Sequence, residues 1–136
     1  MSKKSKVILW TVALAAVAST LANAGETVVV MSPAAANLTK DQVANIYLGR
    51  STDLKPIDLP EGNAAREAFY KKATDRDPAQ VKAVWSLIVF TGQGQPPKEV
   101  ADPASVKKAV AADPKTVGYI DKSDVDASVK VVLSLN

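Results

Sequence analysis

Leu38-Thr39-Lys40-Asp41-Gln42-Val43-Ala44-Asn45-Ile46-Tyr47-Leu48-Gly49 contains a helix with both ends marked. Thr39 and Gln42 stand three apart, the spacing of a capping box, in which each side chain satisfies an amide of the other residue. Val43, Ile46 and Tyr47 recur along one helical face. Gly49 supplies the left-handed residue on which helices commonly close. Upstream, Thr27-Val28-Val29-Val30-Met31 is a β-branched apolar run and reads as a buried strand, ended by Ser32-Pro33.

Downstream, Lys55 to Leu59 reads as a second strand, stopped by Pro60, and Asn63 is a good N-cap for a helix over Ala64 to Ala73. Asp77-Pro78-Ala79-Gln80 opens another helix with an N-cap, a first-turn proline and a capping glutamine. Val81, Val84, Trp85, Ile88 and Val89 give that helix the most apolar face of the chain, and Phe69, Tyr70, Trp85 and Phe90 read as core. Thr91 to Pro97 is a Gly- and Pro-broken loop. Asp102-Pro103 starts a helix to about Ala112, and Thr116 to Ile120 and Val129 to Leu133 are strands. The order strand, helix, strand, three helices, two strands predicts an α/β fold with helices covering a sheet.

The chain opens with a basic stretch, Met1 to Lys6, then an apolar run from Val7 to Val17, then Ala22-Asn23-Ala24. Those are the three parts of a secretory signal, with cleavage expected after Ala24. The run falls short of the roughly 20 apolar residues of a spanning helix. No cysteine follows it, which excludes a lipid anchor of the lipoprotein kind. The remaining residues, 25–136, are expected to form one domain outside the cytoplasm, in the periplasm, with no stable membrane insertion. Of 17 bases, three (Lys3, Lys4, Lys6) lie in the signal, and none of the 14 acids does, so residues 25–136 are formally neutral. No basic cluster for nucleic acid is left.

The sequence has neither cysteine nor histidine. Cys/His zinc sites and Ser-His-Asp or Cys-His nucleophiles are therefore excluded. The acids fall mostly at helix starts and in turns, where capping explains them. No catalytic residue, cofactor or metal site is expected.

Four stretches carry a family resemblance. Leu38-Thr39-x-x-Gln42-x-x-x-Ile46-Tyr47-Leu48-Gly49 resembles a stretch of phosphate-type periplasmic substrate-binding proteins of ABC transporters. Leu59-Pro60-Glu61-Gly62-x-x-x-Arg66-x-x-Phe69-Tyr70 is similar to the turn and helix that follow it there. Trp85-x-x-x-x-Phe90-Thr91-Gly92 and Val117-Gly118-Tyr119-Ile120 are similar to two later signatures. The resemblance implies a type 2 periplasmic-binding-protein fold. Full members are more than twice this length and close two lobes on an anion. The chain is therefore expected to be a single lobe, a short mixed sheet covered by about four helices, with a second copy or an envelope partner needed to complete the cage.

Within that frame, Gly62, Asn63, Ala64 and Arg66 occupy the place of the family's Ser-Gly-Thr phosphate loop. The first amides of a helix lack acceptors, and its dipole puts about half a positive charge there. Gly62 allows close approach, and Asn63 and Arg66 can donate, although the family's hydroxyls are absent and Glu61 adds repulsion. The same residues also read as an ordinary helix start, with Asn63 as cap and Arg66 paired to an acid. Thr91, Gly92 and Gly94 form a second candidate, a turn of amides that can nest an anion. The expected ligand is a small oxyanion, phosphate first. The competing reading keeps the fold but docks a transporter, sensor or porin on the face a second lobe would cover.

Overall fold

The computed structural model describes residues 25–135, and the expected signal segment with its cleavage point after Ala24 lies outside them. The elements run β1 (Thr27–Met31), α1 (Lys40–Tyr47), β2 (Lys55–Asp58), α2 (Ala64–Thr74), α3 (Pro78–Phe90), β3 (Lys98–Glu99), α4 (Pro103–Ala112), β4 (Thr116–Asp121) and β5 (Lys130–Leu135), with a 3-10 turn at Lys122–Asp124. The five strands make one mixed sheet in the order β3-β2-β4-β1-β5. β2 is parallel to β3 and β4, whereas β1 runs antiparallel to β4 and β5.

The local signals place the helices. Gln42 N donates to Thr39 Oγ1 at 3.1 Å and Thr39 N to Gln42 Oε1 at 2.8 Å, so the capping box of α1 is closed. Asp77 and Gln80 form the same box at the start of α3, and Asp102 caps α4 through the Ser105 amide. Gly49 adopts the left-handed conformation expected of it, with φ 78°.

β1 is buried along its length and β4 along all but its last residue, because helices cover both faces of the sheet. Tyr119 of β4 faces α1 and α2. Its ring stacks on Phe69 with centroids 4.0 Å apart, and Tyr47 meets Phe69 edge-on at 4.6 Å. Gly118 faces the other way, toward α4. A Cβ there would stand 2.7 Å from Val106 Cγ1 and 3.1 Å from Ile57 Cγ1, so only glycine lets α4 lie this close. Gly118→Ala is expected to cost about 1–3 kcal/mol by overpacking, read as a lower denaturant midpoint. Val106→Ala in the same chain should restore part of it, and a neutral Gly118→Ala would show that α4 is not held so tightly.

Three expectations need correcting. β3 is absent from the sequence reading. Its two residues are exposed and charged, and they count as a strand only because they pair in parallel with Ile57 and Asp58. Phe90 is not core but 87% exposed, and Leu87 is 64% exposed. α3 lies outside α1 and α2, with Val81 its one fully buried residue and Trp85 half-buried, its indole N–H donating to Tyr47 O at 2.8 Å. The apolar pattern of α3 therefore exceeds what the described chain covers. The third correction is Asp58, which neither caps a helix nor sits in an exposed turn.

Candidate functional site

All three tyrosines of the sequence are buried, and two of them converge on one carboxylate. Asp58 closes β2 and is 2% exposed. Tyr70 donates to its Oδ2 at 2.5 Å, Tyr119 donates to Oδ1, and the Leu59 amide reaches Oδ1 at 3.0 Å. Tyr47 instead shares its hydroxyl between the carbonyls of Ile57 and Val117, at 2.7 and 3.1 Å.

Arg66, in the first turn of α2, lies beside this group. Its Nε is 3.6 Å from Asp58 Oδ1, near enough for charge attraction but too far for a hydrogen bond. That buried Nε has no hydrogen-bond partner among the described residues. Nη1 donates to the Leu59 carbonyl at 2.8 Å and to Glu99 at 3.2 Å. Burial is the largest influence on Asp58 and holds its pKa above the ordinary 3.8, although Tyr119, Tyr70, Arg66 and the Leu59 amide all favour its charge. Burial, then the Asp58 charge, pushes Tyr70 and Tyr119 far up, so both remain proton donors. Burial works against the Arg66 charge, but Asp58, Tyr70, Glu99 and Tyr119 together more than offset it. The arrangement pins the start of α2 to the end of β2. It also means that Arg66 is already neutralised by two acids.

The tip of α2 is more open. Gly62 has φ 87°, a conformation only glycine takes readily, and nothing lies within 4 Å of where its Cβ would be. Asn63 Oδ1 accepts from the Ala65 amide at 2.8 Å, and its main-chain carbonyl takes the Arg66 amide. Of the first three amides of α2, Ala64 alone has no acceptor among the described residues. This tip borders a hollow of about 240 Å³ whose charged lining is Glu61, Arg66, Glu67 and Lys82. Two acids and two bases thus face one another, and Lys82 Nζ stands 3.7 Å from Glu61.

The second candidate, Thr91-Gly92-Gly94, is built differently. The amides of Thr91, Gly92 and Gln93 donate to the carbonyls of Leu87, Val89 and Ile88, each at 3.0 Å. The Thr91 hydroxyl also turns back onto Leu87 and Ile88. These groups close the carboxyl end of α3, where the dipole is negative, and give an anion few donors. Gly94 lies against Ile88 and Trp85 and lines another hollow, apart from Gly62 and Arg66. The two candidate groups therefore do not meet.

A larger cleft of about 510 Å³ runs between the Asp58–Arg66 group and α3. Tyr70 and Arg66 line one side, and Trp85, Val89, Phe90 and Pro96 line the other. No local pattern signals this cleft, since it depends on Asp58 being buried. Three tyrosines in so small a core are the one usable clue, because buried phenols need acceptors.

No protein-family model matches the chain, and no curated protein sequence does. Its fold does match solved structures. An ABC-type phosphate transport receptor from Vibrio cholerae aligns with TM-score 0.60 and 19% identity, over 79% of this chain and 45% of the receptor. A substrate-binding protein assigned to phosphate ABC transport in Clostridium perfringens, with bound phosphate, aligns with TM-score 0.62 and 20% identity, over 79% and 44%. PstS from Borrelia burgdorferi gives 0.59 and 12%, over 80% and 47%. The chain thus shares the fold of part of these binding proteins and spans a little under half the length of each, in line with the single lobe expected from its sequence.

Proposed function

We propose that this chain is an exported, non-catalytic binding module of the periplasm. Its signal ends after Ala24, and residues 25–136 form one domain. It takes a small oxyanion, phosphate first, at the amino end of α2, in association with ABC-type uptake. The observation that carries this reading is the α2 tip. An open Gly62 and the Arg66 and Lys82 charges border one hollow, and the Ala64 amide, two residues on from Gly62, has no acceptor among the described residues. The phosphate-receptor fold supports it, as does the lack of histidine and cysteine. No helix among the described residues is long and apolar enough to cross a membrane.

The charge balance sets the strength. Arg66 is held by Asp58 and Glu99, and Glu61 and Glu67 face the same hollow as the ligand. A site open to water gains only about 1 kcal/mol per charge contact at 4 Å. Affinity near 1 mM, about 4 kcal/mol, is expected. Calorimetric titration of the purified chain with inorganic phosphate tests it. Glu61→Gln removes one exposed repulsion and should tighten binding about fivefold, whereas Lys82→Gln should weaken it about as much. No heat at roughly 10 mM phosphate would overturn the reading.

The exposed Leu87 and Phe90 favour a second reading, in which the same fold also docks protein.

A further inference from the structure

Residues 83–97 hold no charged side chain, the longest such run after residue 24. The run covers most of α3 and the loop after it, and its most exposed large side chains are Leu87, at 64%, and Phe90, at 87%. The helix has three sides. Val81, Trp85 and Ile88 turn toward α1 and α2; Lys82, Ser86 and Val89 turn toward the large cleft; Ala83 and Leu87 turn outward, and Phe90 stands exposed at the rim of the cleft. An apolar stripe of this kind, rimmed by Lys82 at one end and Lys98 and Glu99 at the other, has the make-up of an interface centre with its polar rim.

We infer that the occupant of this face is a second copy of the chain, packed α3 against α3 about a twofold axis near Ser86 and Leu87. Two properties of the face fit a copy of itself. An uncharged surface does not repel its own duplicate. The helix ends are also complementary. Helices rise 1.5 Å per residue, so an antiparallel crossing at Ser86 sets Lys82 of one copy beside the Phe90–Thr91 end of the other. That end has no base in its last turn to offset the negative pole of its dipole. In a twofold dimer this contact is made twice. Phe90 borders the large cleft, so the partner copy would also roof that cleft. The association needs no bound anion.

Sedimentation of the purified chain in phosphate-free buffer, over roughly 1–200 µM, measures it. The expected result is a mass that rises toward the dimer with concentration. Phe90→Asp and, separately, Ser86→Arg should each weaken association about tenfold or more. Both side chains are exposed, so the melting temperature extrapolated to low concentration should not move in Ser86→Arg and should fall only by the few degrees that an acid at the negative end of α3 costs in Phe90→Asp. A wild-type chain that stays monomeric at the top of the range overturns the proposal and leaves the face to a different protein. A dimer that survives both variants overturns it too, because another surface must then be in use. Since phosphate is absent, neither outcome depends on the anion site.

Discussion

Replacing Arg66 by methionine is expected to lower folding stability by about 3 kcal/mol, the low end of the range for removing one partner of a buried ion pair, because Arg66 keeps 15% side-chain exposure. In a chain of this size that is a fall of roughly 10–20 °C in melting temperature. The loss does not come from one hydrogen bond. It comes from leaving the Asp58 charge, 2% exposed, with only neutral donors around it. The effect must therefore depend on pH. Asp58 has a folded-state pKa above 3.8. Its contribution to stability is full below the unfolded value and is lost as pH rises through the folded value. Without Arg66 the folded value rises further. The gap between variant and wild type should be widest near neutral pH and close on acidification, as both proteins come to hold a protonated Asp58. Thermal melts from neutral pH down to about 4 test this. A constant gap would mean that Arg66 acts by packing alone. Adding Asp58→Asn to the variant should recover part of the loss, since the stranded charge is then gone.

Truncating Phe69 to alanine should cost about 3–5 kcal/mol, read from the denaturant midpoint. The ring is fully buried, stacked on Tyr119 and met edge-on by Tyr47 and Tyr70. Beyond its area, each good aromatic pair adds about 0.5–1.5 kcal/mol. Phe69→Leu keeps most of the volume and should cost clearly less. Because Phe69 supports Tyr119, and Tyr119 donates to Asp58, the alanine change and Arg66→Met should not add. A cost under about 1 kcal/mol, or strict additivity, would show that the aromatic group is not one packed unit.

Caps and strands were legible in the sequence because their signals are local. Thr39 with Gln42, Asp77 with Gln80, and Asn63 with Ala65 act within three residues. The Asp58 group was not legible for the opposite reason. Its donors come from Tyr70 and Tyr119, 12 and 61 residues away. Two residues before Pro60, an aspartate at a strand end looks like a turn residue until the fold brings those hydroxyls over it. α3 misled in another way. Its apolar pattern correctly gave a helix, but a pattern cannot say whether this chain or another surface covers each side. Of the candidate ligand residues, Gly62, Asn63, Ala64 and Arg66 share one helix start, and sequence alone could group them. The spending of the Thr91 and Gly92 amides on the end of α3 could be seen only in three dimensions.

The position of β1 has a consequence for how the protein is made. The first strand of the sheet pairs only with β4 and β5, the last two, joining Thr27 to Asp121 and Leu135. Contacts between such distant parts of a chain form late and slow folding. During synthesis β1 waits, unpaired, until nearly the whole sequence has emerged. A sheet whose opening strand waits for its closing ones cannot be completed piecemeal, so the domain stays unlocked until the final strands arrive.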